Sequence, residues 1–380
     1  MNRILQLDFF RGLFLIIITT NHFLSRENVI YRFTYEFIGW ITAAEGFVFL
    51  SGLTAGIVYS RKLVEEGEDF ITWAAKKRAF TIYKYHLMVF LLIILIFYSH
   101  SLMEEYWYYN YTDFKLLFQK PFYSVLLSSL LLYQPIYMDI LPMYAIFLLL
   151  LPMALKSFKN GRPGMVLTLS FLLYLLGTLD QGFNLFPRFH FMEKVDTGFF
   201  NLLSWQLLFV GGVYLGYLTY QNKTSHLLQN KKLFYSAAII CTLLFFFRNA
   251  GYLYESLELS SEYWVSKENL GPLRLLNFTA LLIVLSYLAS RFKQWFSFKP
   301  ICYLGKYSLE VFSFHILLIV IFRPLKVLIR DIYSIKIMDG LYFNPVPTFM
   351  LFFILIPALF LAPGFKNYFL LFKQRLRTNS

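Results

Sequence analysis

The chain has 380 residues, of which 58% are hydrophobic and only 15% are charged, and its formal net charge is +13. A water-soluble domain of this length needs far more charged surface, so the composition excludes one. Apolar runs recur along the chain at the length of about 18 residues that a helix needs to cross a bilayer. The sequence therefore predicts an all-α, polytopic membrane protein that forms a single domain over residues 1–380.

The apolar periods predict about ten transmembrane helices. In chain order they lie at 9–24, 38–59, 79–98, 137–156, 163–179, 199–220, 233–247, 272–291, 303–323 and 346–371. The first is expected to be a retained span, because Asp8 and Arg11 interrupt its start and no small-residue cleavage site follows. The apolar stretch 122–134 is shorter and runs into Gln134 and Pro135, so a spanning helix and a half-helix are both possible there. We expect that it does not cross the membrane, because an extra crossing would invert the charge alternation of every later loop.

The loops between these spans alternate in charge. One set holds 20 Lys/Arg residues and 4 acids, and it comprises Arg3 with 60–78, 156–162, 221–232, 291–306 and 365–380. The other set holds 12 Lys/Arg residues and 14 acids, and it comprises 25–37, 99–121, 180–198, 248–271 and 323–345. The positive-inside rule places the first set and both termini in the cytoplasm. This spread of cations indicates the lipid bilayer as the partner and disfavours nucleic acid.

The first predicted span carries polar residues where a membrane helix can least accommodate them. Arg11 and His22 are eleven positions apart, about three turns, so they share a helix face at a separation of about 16 Å. Asp8 joins that face one turn earlier. With the N-terminus inside, Arg11 lies toward the cytoplasm and His22 toward the other leaflet, which suits a reaction across the membrane. The alternative is that Asp8 and Arg11 form an ion pair and His22 is an interfacial polar residue.

The second predicted span contains a carboxylate at about the depth of His22. Glu45 could orient that imidazole and stabilise its charged form. Gly52 and Gly56 lie on the same face, so this helix can pack closely against a neighbour and hold the carboxylate inside the bundle. A protonated, purely structural glutamate is the alternative.

Two later segments carry polar residues at the outer ends of spans. Asp139 begins the fourth span between Pro135 and Pro142, which free backbone groups to line a cavity. Its alternative role is to cap the helix. Arg274 opens the eighth span, with Asn277 one turn later, and it is the outer cation best placed to bind an anion.

Other polar residues in spans receive no site role. Lys84 and His86 are on different faces of the third span, so at most one points into the bundle, and Lys84 is expected to reach the interface. Glu310 and His315 of the ninth span are interpreted as a buried polar pair at most. The two cysteines lie among apolar neighbours, so neither a disulfide nor a metal site is predicted.

Five segments resemble the OpgC family in the order in which they occur. They are LDFFRG at 7–12 with the Arg11–His22 spacing, AAEGFVFLSGLTAGIVY at 43–59, MDILPMY at 138–144, FNLLSWQLLF at 200–209 and NLGPLR at 269–274. That family belongs with the type 3 membrane acyltransferases, and its name-giving members succinylate osmoregulated periplasmic glucans. The resemblance implies acyl-CoA, such as succinyl-CoA, as donor, a periplasmic glycan as acceptor, no permanently bound cofactor, and the bacterial inner membrane.

The resemblance also implies site residues. Arg11 and His22 match the superfamily's functional pair, and five more residues fall in matching segments, namely Glu45, Asp139, Gln206, Arg274 and Asn277. The segment LGKYSLEVF departs from the family's usual form, since Lys306 and Tyr307 stand where an Arg-His pair is more usual.

The sequence therefore predicts O-acyl transfer with His22 and Glu45 as catalytic residues. The donor and acceptor would be bound by Arg11, Asp8, Asp139, Gln206, Arg274 and Asn277. Because a succinyl group has its own carboxylate, Arg274 is the expected cation in its pocket, whereas acetyl transfer would not need it. The alternative is a transporter or a polysaccharide-export component that transfers no acyl group.

Overall fold

The computed structural model describes residues 4–183, 198–224, 229–249, 262–329, 335–338 and 341–364. The predicted cytoplasmic segment 365–380 lies outside the described residues. Parts of four other predicted loops also lie outside them, at 180–198, 221–232, 248–271 and 323–345.

Helices make up nearly all of the described structure. In chain order they are α1 (Leu5–Phe23), α2 (Val29–Thr34), α3 (Ala43–Glu65), α4 (Glu68–Phe97), α5 (Ser101–Asn110), α6 (Lys115–Gln119), α7 (Pro121–Ser129), α8 (Ile140–Lys159), α9 (Pro163–Phe183), α10 (Leu202–Tyr220), α11 (Lys231–Asn249), α12 (Glu262–Val265), α13 (Pro272–Arg291), α14 (Lys299–Lys306), α15 (Ser308–Ile329), α16 (Pro345–Met350) and α17 (Ile356–Leu359). Short 3₁₀ turns lie at Thr112–Phe114 and Lys293–Phe296, and Leu351–Leu355 forms a π-helical turn.

The described structure is nearly all-α, as the sequence predicts, and it departs from that prediction in a β-hairpin. Strands β1 (Ile335–Met338) and β2 (Leu341–Phe343) pair antiparallel, with Lys336 opposite Tyr342. The backbone N–H of Tyr342 also donates to the carbonyl oxygen of Glu27. Apolar β-branched and aromatic residues favour strands, but here they occur in a short stretch that the charge pattern indicated only as a loop.

The described structure confirms a multi-pass membrane protein. Eight helical segments are long and apolar enough to cross a bilayer, namely α3, α4, α8, α10, α11, α13, Ser308–Lys326 of α15, and Pro345–Gly364. They correspond to eight of the ten predicted spans. The other two predicted spans, α1 and α9, are helical as well, but α1 carries polar residues at both ends and α9 counts only as the shorter apolar helix Pro163–Leu179. The total of ten stays a prediction.

The short apolar stretch at 122–134 contains the helix that the sequence predicts. It is α7, which has nine residues and therefore a length of about 14 Å, too short to cross a bilayer. The helix ends at Ser129, and Leu131 then adopts a positive φ of 59°. Such a conformation is rare for a branched residue and does not continue a helix.

Several helix boundaries differ from the sequence prediction, and for α3 the cause is local capping. Helix α3 begins at Ala43 rather than at residue 38, since the side chain of Thr42 accepts a hydrogen bond from the backbone N–H of Ala44. Helix α4 begins earlier than expected, at Glu68. The predicted ninth span is divided at Tyr307, so that α14 precedes α15.

The chain separates into two compact units. Unit 1 comprises Met1–Tyr35, Met88–Lys115 and Gln294–Ser380, and unit 2 comprises Glu36–Leu87 and Leu116–Lys293. Each is therefore built from segments that are distant in sequence. The single domain over residues 1–380 stays a prediction.

In unit 1, α1 lies directly against α14. A Cβ atom added to Gly12 would meet the backbone of Ile301, and one added to Gly305 would meet the backbone of Asp8. Two helices approach this closely only where small residues face each other. The contact fixes the position of α1, which carries Asp8, Arg11 and His22, against the segment that leads into α15.

In unit 2, the closest packing is between α3 and α10. A Cβ atom on Gly52 would meet the backbone of Phe209, and one on Gly56 would meet that of Val213. Gly212 and Gly216 supply the matching small positions on α10. This confirms the predicted close packing of the Gly52–Gly56 face. Because Glu45 lies in the first turn of α3, the same contact fixes the position of its carboxylate.

Two neighbouring glycines of α10 provide a test of this packing. We expect Gly212→Ala to lower the free energy of unfolding by about 1–3 kcal/mol, because its new methyl group meets the backbone of α3. Gly211→Ala is the matched control, since nothing lies within 4 Å of a Cβ atom at that position. Thermal unfolding in detergent measures both variants. Equal midpoints for the two variants would contradict the packing argument.

Candidate active site

In unit 1, the predicted base lies against a second histidine. Nδ1 of His22, in the last turn of α1, is 3.3 Å from Nε2 of His315 in α15. Their ring centroids are 5.5 Å apart with an interplanar angle of 27°. Nδ1 of His315 contacts the carbonyl oxygen of Phe312 one turn earlier. The two imidazoles therefore form one hydrogen-bonded chain that ends on a backbone carbonyl.

The sequence interpretation of His315 missed this contact. Within α15, Glu310 is the ionisable residue nearest to His315 in sequence. The two are separated by about 140° around the helix axis, so they lie on different faces. The available signal was that histidines occupy spans, in which ionisable groups are rare. Pairing them required the fold, since His22 and His315 are 293 positions apart.

A buried lysine holds the end of the helix that carries His22. Nζ of Lys326 donates to the carbonyl oxygen of Phe23 at 2.5 Å and lies 5.5 Å from the centroid of the Phe23 ring. Phe23 is the last residue of α1, where backbone carbonyls have no partner within the helix. A cation is favourable at this end of a helix. Lys326 thus restrains the turn in which His22 sits.

Asp8 and Arg11 lie in the first half of α1. The helix is continuous from Leu5 to Phe23, which confirms that Arg11 and His22 share a helix face. Asp8 is buried and Arg11 is half-buried. Their predicted roles in binding the acyl donor stay predictions.

In unit 2, four alternating charges form a chain of ion pairs. Nη1 of Arg274 donates to Glu45 at 2.6 Å, and Nη2 of Arg274 donates to Glu36 at 2.5 Å. The other carboxylate oxygen of Glu36 accepts from Nη2 of Arg248 at 2.9 Å. Two cations and two anions therefore balance within the cluster. Sequence reasoning identified Glu45 and Arg274 but missed Glu36 and Arg248, which it placed in loops.

Arg274 is saturated by protein groups. Its side chain is 3% exposed, and its Nε donates to the carbonyl oxygen of Val265 at 3.1 Å. Because Nη1 and Nη2 donate to Glu45 and Glu36, every nitrogen of the guanidinium has a protein acceptor. The sequence predicts that Arg274 binds an anion, and in the structure it binds two carboxylates of the chain itself. Its role toward a substrate carboxylate stays a prediction.

Glu45 is held by its own helix as well as by Arg274. Oε2 of Glu45 accepts from the backbone N–H and the hydroxyl of Thr42, at 3.0 and 2.6 Å. This is a capping box, in which an acidic side chain in the first turn completes the start of a helix. Glu45 belongs to unit 2 and His22 to unit 1, and their predicted pairing stays a prediction.

Asn277 is placed next to this ion-pair cluster, one turn after Arg274. Its Oδ1 accepts from the backbone N–H of Trp40 at 2.8 Å. The preceding residue, Gly39, has a φ of 76°, and a Cβ atom at that position would collide with the Asn277 side chain. Its Nδ2 is buried and has no hydrogen-bond partner among the described residues. A buried donor without an acceptor costs about 1–3 kcal/mol, so this atom is suited to a ligand oxygen.

Asp139 lies at the start of α8, but its side chain makes no capping hydrogen bond. It accepts from the backbone N–H of Phe199 at 3.2 Å instead. Nearby, burial lowers the pKa of Lys267, whereas the charges of Glu45, Glu36 and Asp139 act to raise it. Nζ of Lys267 lies 5.8 Å from the Phe199 ring centroid. Asp139 and the ion-pair cluster thus act on one common cation.

Gln206 is occupied in a different part of unit 2. Its Nε2 donates to the carbonyl oxygen of Ser170, and its Oε1 accepts from the Ser170 hydroxyl, both at 2.7 Å. These two bonds join α10 to α9. The contacts describe a structural link, and the predicted role of Gln206 in substrate binding stays a prediction.

Of Lys84 and His86 in α4, only one points inward, as the sequence predicts. His86 is fully buried, and its Nε2 lies 3.1 Å from the hydroxyl oxygen of Ser128 in α7. Lys84 is exposed, with Nζ 4.6 Å from the centroid of the Phe80 ring. This arrangement confirms that at most one of the two residues points inward, and the expectation that Lys84 reaches the membrane interface stays a prediction.

The buried ion pairs make a prediction about stability. Arg274→Gln leaves the fully buried Glu45 carboxylate without its cation, so we expect a loss of about 3–5 kcal/mol. The double variant Glu45→Gln/Arg274→Gln should be more stable than Arg274→Gln alone, because it removes both charges of that pair and keeps the Glu36–Arg248 pair.

Thermal unfolding in detergent measures these variants. The matched control is Arg61→Gln, which breaks an exposed pair with Glu65 and should cost about 0.2–1 kcal/mol. If Arg274→Gln were no more damaging than Arg61→Gln, the buried cluster would not be a structural element of unit 2.

Comparison with known proteins identifies one related family. A family model described as OpgC protein matches residues 3–361. Searches of curated proteins and of solved structures found no match to the chain. The family match includes all of the segments that carry the candidate site residues.

Proposed function

The chain belongs to the OpgC family, and we propose that it is a membrane O-acyltransferase that modifies a glucan. The donor is acyl-CoA in the cytoplasm, with succinyl-CoA preferred over acetyl-CoA, and the acceptor is a hydroxyl group of a periplasmic glycan. In this proposal the protein lies in the bacterial inner membrane with about ten spans and both termini in the cytoplasm. The observation that carries it is the family match over nearly the whole chain, with His22 present in a hydrogen-bonded pair.

In the proposed reaction His22 is the general base. It takes the proton of the glycan hydroxyl while the hydroxyl oxygen attacks the carbonyl carbon of the thioester. The tetrahedral intermediate then breaks its C–S bond, and the CoA sulfur leaves with the proton that His22 returns. The products are an O-acyl ester and free CoA. The contact with His315 and the fixed end of α1 support this role, because a base must be held in one orientation.

The remaining residues are proposed to bind and orient the substrates. Arg11 and Asp8 act toward the acyl donor, and Asp139, Gln206, Arg274 and Asn277 act toward the transferred group or the acceptor. The contacts of Arg274 support an indirect role, in which it fixes the carboxylate of Glu45. Asn277 is the best supported for direct contact, because its Nδ2 is a buried donor without a protein acceptor among the described residues.

The proposed base predicts a specific loss of turnover. Purified protein with succinyl-CoA and a glucan should release free CoA and form a succinyl ester that mass spectrometry detects. We expect His22→Ala to lower kcat by about 10²–10⁴-fold, the usual contribution of a general base. His100→Asn is the control, since the exposed His100 side chain accepts from the backbone N–H of Leu102 and asparagine can do the same.

Each outcome of this assay separates the hypotheses. Undiminished turnover in His22→Ala would contradict the base assignment. Equal rates with acetyl-CoA would remove the preference for succinate and retain the acyltransferase. A wild-type protein that binds glucan but releases no CoA would instead support a transporter or export component.

Asn277 provides a second, independent prediction. Asn277→Asp keeps an oxygen for the Trp40 N–H and removes the Nδ2 donor. We expect kcat/KM for one of the two substrates to fall about tenfold, the value of one lost hydrogen bond of about 1.4 kcal/mol. The control is Asn110→Asp, at an exposed amide whose Nδ2 donates to the Tyr106 carbonyl oxygen. Unchanged kcat/KM for both substrates would show that Nδ2 of Asn277 contacts neither.

A further inference from the structure

His315 has the geometry of a residue that determines which nitrogen of His22 is basic. It is fully buried in α15 and has two polar contacts, to the carbonyl oxygen of Phe312 and to Nδ1 of His22. We infer that His315 is a positioning residue, which holds His22 in the tautomer whose Nε2 accepts the substrate proton. This inference rests on the proposed function of His22 as a general base.

The first step concerns the protons of His315. Its Nδ1 contacts a backbone carbonyl oxygen, which can only accept a hydrogen bond, so Nδ1 must carry the hydrogen. A neutral imidazole has one N–H and one lone pair. The Nε2 atom of His315 therefore has the lone pair and can only accept.

The second step transfers this constraint to His22. The 3.3 Å contact between Nε2 of His315 and Nδ1 of His22 needs one hydrogen, and His315 cannot supply it. Nδ1 of His22 must therefore carry that hydrogen and donate it. A neutral His22 then has its lone pair on Nε2, the nitrogen that points away from His315. The tautomer of the base is set by a carbonyl group two hydrogen bonds away.

The third step is that His315 stays neutral. No carboxylate lies against it in the described part of the chain, and burial of an unpaired charge is costly. The Phe312 ring packs on His315 edge to face, with centroids 4.8 Å apart, and adds to its apolar surroundings. A neutral acceptor at Nε2 is therefore available throughout the reaction.

The consequence for catalysis is electrostatic and geometric. When Nε2 of His22 takes the hydroxyl proton, the ring becomes an imidazolium, and its Nδ1–H bond to His315 becomes a charge-assisted one. The proton returns from Nε2 to the CoA sulfur, and none passes to His315. A nucleophile or base that is oriented by a third group is a common arrangement in enzyme sites.

The experiment compares two amides at position 315. The oxygen of glutamine reaches about where Nε2 lies and can accept from His22, whereas asparagine reaches only the Nδ1 position. We expect His315→Asn to lower kcat by about 10- to 100-fold with KM nearly unchanged, and His315→Gln to retain much more activity. A purely structural role predicts similar losses in both variants, so equal losses would overturn the proposal.

A second readout does not depend on turnover. The chain has six histidines, and NMR of ¹⁵N-histidine-labelled protein distinguishes Nδ1–H from Nε2–H tautomers. The signals of His22 are assigned by their loss in His22→Asn. We expect the Nδ1–H tautomer at His22 in the wild type and a shift toward Nε2–H in His315→Asn.

The two readouts separate this inference from the proposed function. An Nε2–H tautomer at His22 in the wild type would overturn the inference even if His22 is the base. Conversely, undiminished turnover in His22→Ala would overturn the base assignment, while the tautomer measurement would still test the hydrogen-bonded chain. The wild-type spectrum decides the point even if a His315 variant fails to fold.

Discussion

Unit 2 depends on the placement of one guanidinium between two carboxylates. Arg274 joins Glu45 at the start of α3 to Glu36 in the preceding segment, and Arg248 completes the charge balance. In an apolar environment each of these charges alone would be costly, so they are stable only as a group. The arrangement fixes the starts of α3 and α13 together. It also explains why a helix as apolar as α3 can begin with a fully buried glutamate.

Small residues provide the second constraint, because van der Waals packing must replace the hydrophobic effect between membrane helices. In unit 2 the glycines of α3 and α10 bring two backbones into contact, and in unit 1 Gly12 and Gly305 do the same for α1 and α14. Close backbone contact leaves little freedom for sliding or rotation. The candidate site residues on α1, α3 and α10 therefore sit on helices whose positions are fixed by contacts elsewhere along their length.

The sequence predicts most of the helices and only part of the site, for different physical reasons. Hydropathy is a local property, so the apolar periods located most spans to within a few residues. The start of α3 differs because one side chain, Thr42, decides the boundary, and α4 begins at Glu68 rather than at residue 79. The β-hairpin was missed because strands of three and four residues have too few positions to show a period.

The site contacts join residues that are far apart in the chain, and no local pattern encodes them. The sequence alone identified Arg274 and Glu45 as charges that are costly in a span. Their pairing across 229 positions, and the participation of Glu36, could be seen only in the folded structure. The same holds for His22 and His315. A rare ionisable residue in a span indicates that a partner exists, and the identity of that partner determines the chemistry. For His22 the described partner is His315, and in our inference this neutral acceptor fixes the tautomer of His22 and thereby makes its Nε2 the basic atom.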